Sequence, residues 1–442
     1  MHFKTADIEG VFPDCPPPGA LVNADDGLWY GPYYGFQYAE VHTGHAYPAG
    51  HWRMWLERDY PAGLELWRPE NALAPRSGAY ASLYNAIPAD WHYTNWTVDR
   101  TIEWLRDHQN GQSFFLWMSF ADPHQPFAPP RPCNMYDDEK FPSPVPPEDV
   151  SRKSPHYQRS HKGLSYGGYN TLAGWSGDHF REIVSHYYGL TTFIDDSIAR
   201  VMAELNRLGL AENTHVVFTS NHGEGLADHG IAGKPMMSYE CVNRVPMLWC
   251  HPPTVKSGSV YQGIMSHLDL TPTFLDLAGA EPLSGMEGRS FAPVLRGEIE
   301  TRRDAVIVER ISVLRSSNRD VTPNAQPKPF RSEHANEDIF WVKMLVTEGW
   351  KLLHYGSAPY GELYDVVNDP DDLNNLWDDF ACATVQREFS EHLLAELIDS
   401  ELGDPATILD HRAVSGALRD ARLMEPQPEA RSNLDKRIWG MC

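Results

Sequence analysis

The chain has 442 residues, of which 42% are hydrophobic and 12% aromatic. This length and composition predict a globular α/β protein with one large domain and a smaller partner, and argue against a disordered chain. The formal net charge of −23 repels phosphate backbones and anionic lipid surfaces. We therefore expect neither a nucleic-acid partner nor a membrane partner.

The six cysteines show no CxxC pair and no repeated spacing, which predicts free thiols in a reducing compartment. Residues 1–20 lack the basic and apolar regions of a signal peptide, and no window holds about 18 uninterrupted apolar residues. As the sequence stands we expect a cytoplasmic protein, although a missing N-terminus would hide an export signal. The sequence leaves the oligomeric state open.

The first half of the chain predicts alternating helices and strands. The first 75 residues are rich in Gly, Pro, Tyr and Trp and predict a long surface segment, with helical periodicity only around 51–58. Apolar spacing predicts helices over 97–108 and 179–208. Between them, the apolar run 113–120 predicts a buried strand and a βαβ-type arrangement.

The second half changes texture after about residue 300, where a polar stretch from 316 to 336 precedes two strand-like runs. The turn-like residues between those runs predict an antiparallel hairpin. The predicted elements are strands at 215–219 and 246–250, a helix at 270–277, hairpin strands at 340–346 and 351–355, and a helix at 384–397.

Two polar clusters lie directly after predicted strands, where ligands collect in open α/β sheets. His124 follows the first of these strands and can donate to a leaving oxygen, although taken alone it is more often a structural histidine. Asn221, His222 and Glu224 follow the second strand and offer groups that ligate a divalent cation; a Gly-rich turn is the alternative. Lys234 comes soon afterwards and can hold an anionic oxygen, although a lone lysine is usually solvated.

Taken together and in this order, these segments resemble the sulfatase family of the alkaline phosphatase superfamily. The family's DPHxPF motif matches residues 122–127, and its DHGE and GK blocks match a continuous pattern over 187–246. Residues 266–273 and 361–376 resemble two later family blocks. The resemblance implies an alkaline-phosphatase-like α/β/α sandwich in residues 1–300, with a smaller C-terminal α+β subdomain in residues 301–442.

The resemblance also implies a mechanism and its residues. In the family, a formylglycine hydrate attacks the ester while a divalent cation, usually Ca²⁺, holds the nucleophile and the ester oxygens. His124 would orient the ester or protonate the leaving oxygen, and Lys234 would clamp the sulfate oxygens. Asn221 and His222 match the family's metal pair, and His2 matches a substrate-contacting histidine.

The sequence departs from the family pattern in two respects. The family most often has Asp where Asn221 stands, and a neutral amide should weaken the cation site. No CxPxR segment, the source of formylglycine, occurs in the 442 residues. We therefore expect an N-terminally truncated chain that shows no turnover as given, either because a longer enzyme is the real protein or because this is a non-catalytic remnant.

Three functions remain open from the sequence. The first is metal-dependent hydrolysis of sulfate esters, with a small molecule or a saccharide as substrate. Phosphonate or phosphate ester hydrolysis is the nearest chemical alternative, because the same cation, histidine and lysine accommodate either tetrahedral anion. The third is a non-catalytic pseudoenzyme or binding protein.

Overall fold

The computed structural model describes residues 30–401, apart from 34, 43–47, 74–76, 80–81, 109–110, 131–135, 137–140, 142–149, 156, 159–175, 227, 231–232, 235–238, 284, 299–302, 315–337 and 357. It describes the backbone but not the side chains at 69, 150, 311–314, 338–341 and 399–401. His2 and the polar stretch 316–336 therefore lie outside the described residues.

Within these residues the structure has eight α-helices and six β-strands. The helices are α1 Gly50–Asp59, α2 Pro61–Leu66, α3 Tyr93–Asp107, α4 Gly177–Arg207, α5 Glu240–Asn243, α6 Leu270–Leu277, α7 Ala292–Leu295 and α8 Ala383–Glu401. The strands are β1 Val216–Thr219, β2 Met247–Cys250, β3 Ala305–Leu314, β4 Asp338–Thr347, β5 Trp350–Tyr355 and β6 Gly361–Asp365.

Helix α1 corrects the expectation that the first 75 residues form a surface segment. Trp52 and Leu56 on this helix are fully buried and pack with Tyr93 and Trp96 of α3. The indole N–H of Trp52 donates to the carbonyl oxygen of Trp91 at 3.0 Å. Helix α1 is therefore part of the core rather than of a surface segment, and residues 1–29 lie outside the described part of the chain.

One hydrophobic core lies between helices α3 and α4. Val98, Ile102 and Leu105 of α3 meet Val201 and Leu205 of α4, as the apolar spacing of both helices predicts. At 31 residues, α4 is the longest described helix. Within the described part of the chain, no helix is both long and apolar enough to span a membrane.

Strands β1 and β2 confirm the predicted strands at 215–219 and 246–250, but they pair antiparallel, with Val217 opposite Trp249. Neither strand is fully buried: Leu248 is 65% exposed and Phe218 36% exposed. This pair therefore does not supply the parallel arrangement that a βαβ unit would have.

The buried strand predicted at 113–120 is not present as a paired strand. No described strand pairs with the segment, so it has no strand assignment. Its side chains still alternate: Leu116 and Met118 pack on the core between α3 and α4, while Phe115 and Trp117 are 59% and 72% exposed. The segment therefore buries the face that carries Leu116 and Met118, and its other face is exposed.

The C-terminal region forms a four-stranded antiparallel sheet in the order β3-β4-β5-β6. The predicted hairpin is confirmed by β4 and β5, which pair with Met344 opposite Leu353. Helix α8 covers one face of this sheet, where Leu393 joins Leu345, Leu352 and Leu363. Periodicity did not identify β3 and β6.

Candidate active site

Asp122 anchors the loop that carries His124. The side chain is buried and accepts hydrogen bonds from the hydroxyls of Tyr93 and Thr94, both in the first turn of α3. Burial raises the pKa of Asp122 to about 6, although the two hydroxyls act in the opposite direction. The loop after 113–120 is therefore fixed to the start of α3.

His124 is half-buried, and its orientation is set by its own loop. Its Nδ1 lies against the carbonyl oxygen of Gln125, which can only accept, so Nδ1 carries the proton of the neutral ring. Burial lowers the pKa of His124, and the charge of Lys234 lowers it further. The neutral imidazole thus carries its lone pair on Nε2, and an added negative charge nearby would raise the lowered pKa of the ring.

Lys234 joins the two polar clusters. Its ammonium nitrogen lies 2.7 Å from Oε2 of Glu224 and donates to Oε1 of Gln125 at 3.1 Å. The Glu224 side chain is 3% exposed, so this ion pair lies in a largely water-excluded position. The structure therefore joins Lys234 to Glu224 and, through Gln125, to the His124 loop; the catalytic roles of these residues stay predictions.

The corner itself rests on helix α5. Gly223 N–H donates to the carbonyl of Val242 at 2.7 Å, and Glu224 N–H donates to that of Cys241 at 3.0 Å. A Cβ at Gly223 would lie 2.1 Å from the Cys241 oxygen, so only glycine permits this approach. Nδ1 of His222 bonds to the Gly223 carbonyl at 2.8 Å, which leaves Nε2 as the ligand atom of a neutral ring.

The described residues do not by themselves fit a calcium ion. Asn221 is exposed and offers one neutral oxygen, His222 offers a nitrogen, and Glu224 is already paired with Lys234. Calcium takes six to eight oxygen ligands. Within the described part of the chain, no group of three His, Cys, Asp or Glu side chains is arranged to hold a metal.

Two residues at the site were not assigned roles from the sequence, and a third has a different partner from the expected one. Glu224, a candidate cation ligand from the sequence, is the counter-ion of Lys234, and Gln125 bridges that lysine to the His124 loop. Arg310 on β3 donates to the backbone carbonyl of Lys234 at 2.7 Å. Glu224 and Gln125 lie inside recognised motifs, which is a usable signal, whereas nothing in the sequence around Arg310 points to the site.

A model of the sulfatase family matches residues 29–280, which is more than half of the chain. The chain belongs to the sulfatase family.

Three curated relatives are similar to it. The multifunctional alkaline phosphatase superfamily protein PehA of Trinickia caryophylli is 28% identical, over 70% of this chain and 60% of its own length. An arylsulfatase of Clostridium perfringens is 29% identical, over 64% of this chain and 53% of its own length. An N-acetylglucosamine-6-O-sulfatase of Bacteroides thetaiotaomicron is 28% identical, over 58% of this chain and 41% of its own length.

Solved structures confirm the predicted fold class for this sulfatase-family chain. A phosphonate monoester hydrolase from Silicibacter pomeroyi superposes with a TM-score of 0.60 at 23% identity, covering 78% of this chain and 70% of that one. A protein solved with its substrate D-glucosamine-2-N,6-O-disulfate superposes with a TM-score of 0.56 at 21% identity, covering 71% of this chain and 70% of that one. The fold is the α/β fold of the alkaline phosphatase superfamily, and the chain spans about 60% or less of the curated relatives' length.

Proposed function

We propose that the protein is a sulfate ester hydrolase and that the described residues form the anion-binding half of its active site. The proposal rests on two contacts of the Lys234 ammonium. It donates to Gln125 in the His124 loop, and it pairs with Glu224 at the corner. A cation and an imidazole on neighbouring loops suit an ester that is an anion before and after cleavage. Arylsulfatase and N-acetylglucosamine-6-O-sulfatase relatives support the sulfate ester.

Each side chain has a distinct role in this proposal. The ammonium of Lys234 exchanges part of its pairing with Glu224 for the sulfate oxygens. The ester's negative charge raises the pKa of His124 from its lowered value, so that the ring can bind the ester or protonate the leaving oxygen. Both groups are pre-positioned by the folded chain, so binding requires little reorganisation.

The described residues supply neither a complete metal site nor a nucleophile of the family type. Sulfatases generally use a divalent metal. We propose that Asn221 and His222 contribute part of a Ca²⁺ site whose other ligands come from outside the described residues. The proposed contacts of Lys234 and His124 with the ester do not require that ion.

We propose a sulfated saccharide or a small sulfated molecule as the substrate. The support is chemical and comparative: one relative is an N-acetylglucosamine-6-O-sulfatase, and one structural neighbour holds a glucosamine disulfate. Because the net charge is −23, an anionic substrate needs local positive charge at the site, which Lys234 supplies in this proposal.

Phosphonate ester hydrolysis is the second candidate. A phosphonate monoester hydrolase shares the fold, and the relative PehA is described as multifunctional. The pair of Lys234 and His124 does not discriminate between sulfur and phosphorus as the central atom, because both esters present anionic tetrahedral oxygens.

The test is binding followed by turnover, with CaCl₂ present. Calorimetry of the purified protein with 4-nitrophenyl sulfate should give an affinity that falls about tenfold in Lys234→Met and in His124→Asn, since each loses one charged or polar contact. Lys256→Met, at an exposed loop position, is the control and should leave binding unchanged. Absence of binding in the wild type would overturn the proposal.

Turnover then separates the alternatives. Faster cleavage of 4-nitrophenyl sulfate than of 4-nitrophenyl phenylphosphonate supports the sulfatase, and the reverse order supports the phosphonate ester hydrolase. Binding without turnover of either ester supports the non-catalytic alternative.

A further inference from the structure

The start of helix α5 is held by a carboxylate from the C-terminal region. Glu240 N–H, the first of this helix, donates to Oδ2 of Asp372 at 3.1 Å. The first N–H groups of a helix have no acceptor within the helix, and a charged acceptor makes the stronger bond. Asp372 lies in the loop after β6, so α5 is fixed by a part of the chain more than a hundred residues away in sequence.

Asp372 is itself held by Lys351 of β5. The ammonium of Lys351 pairs with the same Oδ2 and lies 3.4 Å from Oε1 of Glu240. Asp372 and Lys351 are both 0% exposed. Lys153 also donates to the backbone carbonyl of Asp372. One oxygen of the carboxylate therefore takes both an ammonium and a helix N–H, and the backbone of the same residue is held by a second ammonium.

The same helix carries the active-site corner. Gly223 and Glu224 donate their backbone N–H groups to Val242 and Cys241 of α5, and the Gly223 backbone touches the Cys241 carbonyl. A displacement of α5 therefore displaces the backbone of His222, Gly223 and Glu224, and with Glu224 the partner of Lys234.

We propose that Asp372, fixed by Lys351, is a positioning residue of the active site that acts through α5 on the 221–224 corner. The buried pair adds little to stability by itself, since desolvation of two charges offsets most of their attraction. Its geometric effect is to set where the corner lies relative to the His124 loop. This inference rests on the proposed function only for its kinetic consequence.

The variants are chosen so that the backbone is not strained. Asp372 has φ +53°, a left-handed conformation that glycine adopts without steric strain, so Asp372→Gly removes the side chain without backbone clash but adds backbone freedom. Because this variant leaves the buried Lys351 with only one carboxylate contact, to Glu240 at 3.4 Å, Lys351→Met/Asp372→Gly is included, which removes both charges of the buried pair.

Glu362→Gln is the matched control. Glu362 is also 0% exposed and lies in the same polar region, but it accepts from Ser154 N–H at 3.3 Å and from the Tyr364 hydroxyl at 2.7 Å. Those contacts lead to Ser154 and to β6 itself. Its loss should lower the melting temperature without loosening the corner.

Hydrogen exchange followed by mass spectrometry on the full chain is the primary readout. Peptides covering 220–226 should exchange about tenfold faster in Asp372→Gly and in the double variant than in the wild type. Peptides from α4 should keep the wild-type exchange rate in all variants. In the Glu362→Gln control, peptides covering 220–226 should also keep the wild-type rate. Unchanged exchange at 220–226 in the folded double variant, or equal acceleration in Glu362→Gln, would overturn the proposal.

The kinetic readout is separate from the exchange result. If sulfate ester turnover is present, the double variant should lose about tenfold in kcat with KM little changed, since the corner moves while Lys234 and His124 remain. A wild type without turnover would count against the proposed function, and the exchange result would still decide the role of Asp372.

Discussion

Asn221 is an exposed amide at the corner of the site, beside His222. Replacing it with Asp adds a formal negative charge to the candidate cation site. We expect the affinity for Ca²⁺ to rise about tenfold, as measured by calorimetry. Asn213→Asp adds the same charge at an exposed position away from the corner and should leave the affinity unchanged; an equal gain there would show a general charge effect.

His92 makes stability depend on pH. It is fully buried, its Nδ1 accepts from Thr94 N–H at the start of α3, and burial lowers its pKa to about 3. Between pH 6.5 and that value the unfolded chain binds a proton that the folded chain does not. Stability contributed by the neutral ring is therefore present above pH 6.5 and falls as the pH falls, by about 2 kcal/mol at pH 5.

His92→Asn keeps a capping acceptor and removes the titration. We expect this variant to be less stable at pH 7.5, because the ring packing is lost, but to show a smaller difference between its melting temperatures at pH 7.5 and pH 5. A difference as large as in the wild type would assign the acid sensitivity to other groups, such as His229, whose pKa burial also lowers to about 3.

The residues of the site were predictable where motifs carry them and not elsewhere. His124, His222 and Lys234 lie in blocks that match the family pattern, and the structure brings them to one place. The pairing of Lys234 with Glu224 depends on how the segment between β1 and α5 folds back on itself, which spacing along the chain does not specify. Arg310 reaches the site from β3, a strand that periodicity did not identify.

At the scale of elements, the longer helices were predicted and the three described helices of four to six residues were not. Helix α6 matches its predicted bounds, and α4 differs by two residues at its start and one at its end. Helix periodicity is a local property, whereas a strand requires a partner elsewhere in the chain. The apolar run 113–120 satisfied the pattern of a buried strand, yet no described strand pairs with it.

The alternation within this segment gives a test of its orientation. Leu116 packs on the core between α3 and α4, whereas Trp117 is 72% exposed. We expect Leu116→Gln to lower the free energy of unfolding by about 2 kcal/mol or more, and Trp117→Gln by less than about 1 kcal/mol. Urea unfolding measures both. The reverse order would mean that the opposite face of the segment is buried.

At the scale of the whole molecule, one hydrophobic cluster joins the two predicted subdomains. Tyr157 and Tyr239, from the first, pack with Val342, Leu353 and Tyr364 of the C-terminal sheet. Arg152 and Asn375 exchange two hydrogen bonds, at 3.2 and 2.9 Å, across the same interface. The boundary near residue 300 stays a prediction, but the core on either side of it is shared.

A fragment comprising residues 301–442 should therefore not fold alone. It would expose the apolar face that Tyr157 and Tyr239 cover, and it would leave Lys351 and Asp372 without Glu240. We expect no cooperative thermal transition and no near-UV circular dichroism signal from the fragment, while the full chain shows both. A cooperative transition in the fragment would establish it as an independent domain.

The ion pair between Lys234 and Glu224 also bears on selectivity among the anions of a cell. An entering anion meets an ammonium that already has a counter-ion at 2.7 Å, so binding is an exchange of partners rather than the neutralisation of a bare cation. Chloride brings no directional acceptors to that exchange and gains little from it. An ester with several oxygens engages Lys234 and His124 at once, so physiological salt should be a weak competitor and occupancy should follow the concentration of the ester.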